Sequence, residues 1–191
     1  LGAPVNDFTI PKSTIVDSLL ELGRRTKIPL AIPCADAAFQ HSMISVHLEH
    51  STVGAVLSAI LRDEPNVTAH LDQGVIVVDR LPRELNCKFI DTVIPTFGMT
   101  HPETVEHISA KLWMTLELQL DPTKTGFAGI LHPSDYDKKL APFELRNQTV
   151  GDILTWLVAR HSAAAWIGLP SARLSDAYLN ELWRIVFYPT E

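Results

Sequence analysis

Residues 46–61 read VHLEHSTVGAVLSAIL, and residues 143–158 read FELRNQTVGDILTWLV, each position matching the one 97 residues on. Leu48/Leu145, Thr52/Thr149, Val53/Val150, Gly54/Gly151 and Leu57/Leu154 are identical; Val56/Ile153, Ser58/Thr155, Ile60/Leu157 and Leu61/Val158 are conservative. A repeat constrains the fold strongly, because each copy has to build the same supersecondary unit. Both copies open in period two: Ile44, Val46 and Leu48 alternate with polar residues, as do Phe143 and Leu145, which is the pattern of a half-buried strand. The period then lengthens. Val53, Val56, Leu57, Ile60 and Leu61, and likewise Val150, Ile153, Leu154, Leu157 and Val158, form one apolar helix stripe. Ser51 or Thr52, and Thr149, suit the N-cap at the switch. A glycine one turn into a helix costs about 1 kcal/mol against alanine. Its recurrence at Gly54 and Gly151 points to close approach of another backbone.

Upstream elements correspond more loosely. Thr14 caps a helix carrying Val16, Leu19, Leu20 and Leu22; Pro102 suits the first turn of another carrying Val105, Ile108 and Leu112. Strands are expected at 7–10 and 87–94 before these helices, and at 28–32 and 116–120 after them. Hairpins close each copy: residues 67–71 and 75–78 about the turn Asp72-Gln73-Gly74, and 164–169 with 183–188. The expectation is an α+β chain of two tandem modules, 1–80 and 81–191, each strand-helix-strand-strand-helix-strand-strand, with helices packed on small mixed sheets. The boundary falls near the charged, proline-containing stretch 79–86. The second copy carries insertions at 121–142 and 170–181, the latter suited to a short helix.

Composition narrows the function classes. With 46% hydrophobic and 20% charged residues the chain is an ordinary folded protein. A formal charge of -6, with no basic run beyond Arg24-Arg25 or Lys138-Lys139, argues against nucleic acid or anionic lipid as partner. No stretch approaches the roughly 18–20 apolar residues of a membrane helix. A start at Leu1 is compatible with a removed export signal. Cys34 and Cys87 stand outside any Cys-x-x-Cys; they read as two small buried hydrophobes or as a bridge, with free thiols favoured.

The first copy resembles the secretin and TonB short N-terminal (STN) domain. The likeness lies in FTIPKSTIVDSLLELGRRTKIPLAI, a variable loop, and then ISVHLEHSTVGAVLSAILRDEPNVTAHLDQGVIVV. Leu48, Thr52, Val53, Leu57 and Leu61 fit that family's strand-to-helix phrase, whereas Val56 stands for its usual alanine and Gly54 is atypical. The match spans residues 7–80, and more loosely 87–189. The resemblance implies two helices packed with small sheets, a periplasmic or secreted bacterial location and contact with other envelope proteins; no barrel, plug or secretin core accompanies it here.

No nucleophile motif, phosphate loop or metal-ligand spacing occurs, so neither an enzyme nor a cofactor or metal protein is expected. His47 and His50, three apart on a strand, point to opposite faces. His47 and His70 share the polar phase of their strands and would meet only if those strands were neighbours. The expected partner is an envelope protein that adds to an open strand edge. The expected edges are residues 45–49 and 144–146, with His47, Glu49, Glu144 and Arg146 outward, and Trp156 off the main helix stripe covers the first copy or a partner. Trp113, Trp166 and Trp183 read as core. An alternative is a small-ligand or glycan site, between the modules or at Asp135, Tyr136 and Asp137 in the long insertion. Oligomeric state is left open by the sequence.

Overall fold

The computed structural model describes residues 1–82, 85–120, 139–161, 164–168 and 183–187. The first half runs β1 (Pro4–Val5), β2 (Phe8–Thr14), α1 (Ile15–Thr26), β3 (Leu30–Ile32), α2 (Ala37–His41), β4 (Met43–Leu48), β5 (Ser51–Thr52), α3 (Val53–Ile60), β6 (Val67–Asp72) and β7 (Val75–Arg80). A 3-10 turn (Leu85–Asp91) leads to β8 (Val93–Met99), β9 (Glu103–Thr104), α4 (Val105–Leu120), β10 (Lys139–Leu140), β11 (Phe143–Thr149), α5 (Val150–His161), β12 (Ala164–Gly168) and β13 (Trp183–Phe187). The architecture is α+β with small mixed sheets.

The long helices begin alike. The hydroxyl of Thr14, Thr52, Thr104 or Thr149 accepts the backbone N–H three residues on, from Asp17, Ala55, His107 or Asp152, at 3.0–3.3 Å. Such a cap satisfies one of the orphan donors of a helix start and contributes about 1 kcal/mol. The strand before each repeat helix also turns alike: His50 (φ 46°) and Asn147 (φ 50°), 97 apart, both sit in the left-handed region. The turn Asp72-Gln73-Gly74 joins β6 to β7, with Gln73 and Gly74 both at positive φ, as a two-residue hairpin turn requires.

Two ribbons and one shared sheet order the molecule. β2 pairs antiparallel with β4, and β8 with β11. The central sheet has the order β13-β12-β3-β7-β6, so strands of both halves lie in one sheet, joined where β12 runs parallel to β3. Its inner strands are buried on both faces, which is why β3, β7 and β12 read LAI, VIVVDR and AAWIG rather than alternating apolar with polar. Leu30, Ile32, Ile76, Val78, Ala165 and Ile167 face α1 and α3; Ala31, Val75, Val77, Ala164 and Trp166 face α4 and α5. The layers are therefore ribbon, helix pair, shared sheet, helix pair, ribbon.

Cys34 and Cys87 form a disulfide across this seam, with Cα atoms 5.8 Å apart. This corrects the favoured free-thiol reading: Cys34 follows β3, the strand that meets the second half, and Ala35 donates to the Gly168 carbonyl at 2.9 Å alongside. Two further expectations change. The segment 87–94 is mostly a 3-10 turn, in which three residues per turn bring Cys87 and Ile90 inward together, and the strand starts at Val93. The segment 116–120 is not a strand. α4 runs through it, because Leu116 continues the stripe of Val105, Ile108 and Leu112, and Leu118 and Leu120 are left exposed. Pro102 precedes the cap Thr104 instead of lying inside the helix. Of the expected insertions, 121–138 of the first and all of 170–181 lie outside the described residues. No helix among the described residues is long and apolar enough to cross a membrane.

Candidate functional site

The expected surface residues fall on the two outer ribbons. On the first, His47 lies opposite Thr9. Thr9 Oγ1 donates to Asp7 Oδ1 (2.9 Å), so His47 Nδ1, 2.8 Å away, is the donor to Thr9, and His47 Nε2 lies 3.7 Å from Glu49 Oε1. A hydroxyl, an imidazole and a carboxylate in this sequence have the connectivity of a nucleophile, base and orienting acid. The direction of the protons is wrong for that chemistry, because the hydroxyl gives its proton to Asp7 and accepts from the imidazole. With His47 65% and Glu49 74% exposed, water also has free access. His70, on β6, belongs to the central sheet and not to this ribbon.

On the second ribbon Glu144 stands where the first has His47, opposite Gly98. Arg146 Nε donates to Glu144 Oε1 at 2.6 Å in an exposed pair. Gly98 is required there: a Cβ would lie 2.3 Å from the Phe143 carbonyl oxygen. Trp156 is half-buried and packs outward on Phe143, with ring centroids 4.4 Å apart and the Arg160 guanidinium 5.5 Å from its own ring. It thus covers the ribbon β8·β11 and does not face the first half. Trp113, Trp166 and Trp183 are core, as expected. Asp135, Tyr136 and Asp137 lie outside the described residues. The seam between the halves is filled by the shared sheet.

A feature the sequence reading missed lies beside the second ribbon. Between β8 and α4 opens a groove of about 520 Å³, with Phe97, Met99 and Phe143 as apolar lining and Thr96, Lys111 and Thr115 as polar lining. Lys111 Nζ donates to the Gly98 carbonyl at 2.5 Å and Gln119 Nε2 to the Val93 carbonyl at 2.9 Å, so side chains of α4 meet main-chain acceptors of a strand with no second strand partner among the described residues. Of the exposed large hydrophobics, Val93, Met114, Leu118 and Leu120 all belong to these two elements.

The corresponding place in the first half is closed. Phe8 pairs with Leu48 and Phe97 with Leu145, 97 residues on, so the two phenylalanines hold the same ribbon position. Counted from the caps Thr14 and Thr104, Glu21 corresponds to Lys111 and Arg25 to Thr115. Arg25 lies over the Phe8 ring (5.1 Å to the centroid), donates to the Asp7 carbonyl at 3.1 Å and pairs with Glu21 at 2.6 Å. Glu21 also takes Arg24 at 2.7 Å. Its carboxyl is held down to about 2, chiefly by the hydrogen bond from Arg24, with Arg25 adding to the effect and partial burial opposing it. Comparing the helices from their caps would have revealed this ion pair in one half and its loss in the other.

Among the described residues no three His, Cys, Asp or Glu side chains gather as metal ligands. Searched against protein-family models, curated proteins and solved structures, the chain matches none of them.

Proposed function

We propose that this chain is a non-enzymatic protein–protein interaction module of the bacterial envelope, periplasmic or secreted, built from two copies of one STN-like unit. The Thr-capped helices, the left-handed His50/Asn147 pair and the matched ribbon registers support the duplication. The Cys34–Cys87 disulfide fits an oxidising compartment, since such bonds persist outside the cytosol.

The observation that carries the reading is the two-stranded ribbon at each end of the stack. Each leaves strand edges without a strand partner among the described residues. Main-chain groups on such an edge accept an added strand from a partner. The test is photo-crosslinking in the native envelope, with a benzophenone side chain at His47, at Glu144 or, as a control on the central sheet, at His70. A discrete protein adduct from one ribbon position and none from His70 is expected. Adducts absent from both ribbons, or the same from all three positions, would refute the reading. The groove beside β8 favours a second reading, a small-ligand or glycan site. A rise in thermal midpoint with a sugar or peptidoglycan fragment, which binds only the folded state, would select it.

A further inference from the structure

We propose that the groove between β8 and α4 is the docking site, and that its occupant is an extended segment of a partner protein carrying an acidic side chain next to apolar ones. The inference rests on the interaction-module reading and adds to it the site and the chemistry of the partner.

Three observations converge on that occupant. Backbone comes first: β8 offers an edge, and at its start the Val93 carbonyl is met by the Gln119 side chain, which an incoming strand can displace. An extended segment satisfies main-chain groups in register, which a compact ligand does not.

Apolar surface comes second. Met99 and Phe143 line the groove half-buried, and Met114 (38% exposed) and Leu118 (49%) continue along the same helix. Alternate side chains of an added strand would cover them.

Charge decides the rest. In the first half the cation Arg25 has its carboxylate, Glu21, within the chain. In the second half the place of Glu21 is taken by Lys111 and that of Arg25 by Thr115. Lys111 makes no ion pair among the described residues, and Glu144 is already held by Arg146. A basic ligand would meet like charge in a partly desolvated groove, where such repulsion is strong; a carboxylate would complete the missing pair. The chain's net charge of -6 supplies no long-range attraction for an acid, so the contact is local and specific to Lys111.

The probe is an acetylated, amidated pentapeptide alternating valine with aspartate, beside its lysine-for-aspartate counterpart, titrated into the full chain and followed by backbone amide NMR. The aspartate peptide should shift the amides of Thr96, Phe97, Gly98 and Met99, and Lys111→Glu should weaken it roughly tenfold or more while strengthening the lysine peptide. The double variant Lys111→Glu/Thr115→Arg, which copies Glu21 and Arg25, should bind neither. A far-UV spectrum matching the parent's confirms that each exposed-site variant is folded. Shifts centred on β4 instead of β8, an affinity indifferent to Lys111→Glu, or no shift with the aspartate peptide would each overturn the groove as the site. The crosslink at His47, on the ribbon away from the groove, judges the interaction reading independently of that result.

Discussion

The two halves agree where they are buried and part where they meet water. Phe8 and Phe97, Leu22 and Leu112, and Val53 and Val150 are matched pairs, each buried. One layer outward, Glu21 and Arg25 become Lys111 and Thr115, and a sealed strand-to-helix junction becomes an open groove. Packing density leaves a buried core little freedom to change, since even one methylene is felt there. An exposed ion pair contributes about 1 kcal/mol or less, so it can be lost or reversed at small cost to stability. In this molecule the difference in surface chemistry, and not in fold, is what gives one half a candidate site.

The largest test of the comparison asks whether the halves are one cooperative body. All four tryptophans lie in the second half, so their fluorescence follows that half alone, whereas far-UV circular dichroism follows both. Because both halves supply strands to one sheet, the two signals should share one urea midpoint. Cys34→Ala/Cys87→Ala removes a crosslink between residues 53 apart in sequence. In the chain-entropy picture that lowers stability by about 4 kcal/mol. The two signals should still coincide in the variant. Separate midpoints would mean that the seam is held by the disulfide and not by the pairing of β12 with β3.

A smaller effect separates the two matched glycines. Their shared position suggested close approach of a backbone in both copies. At Gly54 the neighbour is indeed backbone: its N–H donates to the Leu1 carbonyl at 2.9 Å. Yet an added Cβ would sit 3.5 Å from Leu1, an ordinary contact. At Gly151 the neighbour is a side chain, with the buried Ile90 Cγ2 only 2.5 Å from such a Cβ. Gly54→Ala should therefore be neutral or gain about 0.5 kcal/mol from helix propensity. Gly151→Ala should cost about 1–3 kcal/mol by overpacking. Equal effects in a denaturant titration would remove this distinction between the halves.

What the sequence disclosed followed from local rules. Period-two alternation located β4 and β11, the 3.6 period located α3 and α5, and threonine before an apolar stripe located the caps Thr14, Thr52 and Thr149. The turn residues Gln73 and Gly74 identified the first hairpin. The misreadings arose where two periods fit the same letters. Leu116, Leu118 and Leu120 alternate like a strand, yet Leu116 also sits one turn beyond Leu112, and the helix wins because its stripe is already anchored in the core. Cys87 and Phe89 likewise alternate, but the disulfide ties Cys87 into a 3-10 turn. The shared sheet was not legible, since the pairing of β12 with β3 joins residues far apart in the chain by backbone bonds that no side-chain pattern encodes. Of the candidate site, the outward residues His47, Glu49, Glu144 and Arg146 were readable from strand phase. The groove was not, because it depends on the absence at Thr115 of a side chain that only the first half shows at Arg25.

The smallest effect is one of pH, and in the first half it arises at Glu21. Glu21 has its carboxyl lowered from 4.5 to about 2 in the folded chain, through Arg24 first and Arg25 second. A carboxyl depressed on folding stabilises the native state fully above its unfolded value, and that contribution drains away as pH falls from about 4.5 toward 2. The side chain is 27% exposed and its arginine partners are 38% and 35% exposed. Solvent screening therefore reduces the contribution to about 1 kcal/mol. Glu21→Gln should accordingly be less stable than the parent by about that amount at neutral pH. The gap should close as pH falls through the window, both proteins then carrying an uncharged group at this position. Lys111→Gln, the matched change in the second half, removes a cation with no carboxylate partner among the described residues, and should show no such convergence between pH 4.5 and 2. Urea midpoints of the three proteins across that range decide the matter. A Glu21→Gln gap that persists at the acid end would show that the junction is sealed by packing of Arg25 on Phe8 and not by its ion pair, and the contrast between a closed and an open half would then rest on shape alone.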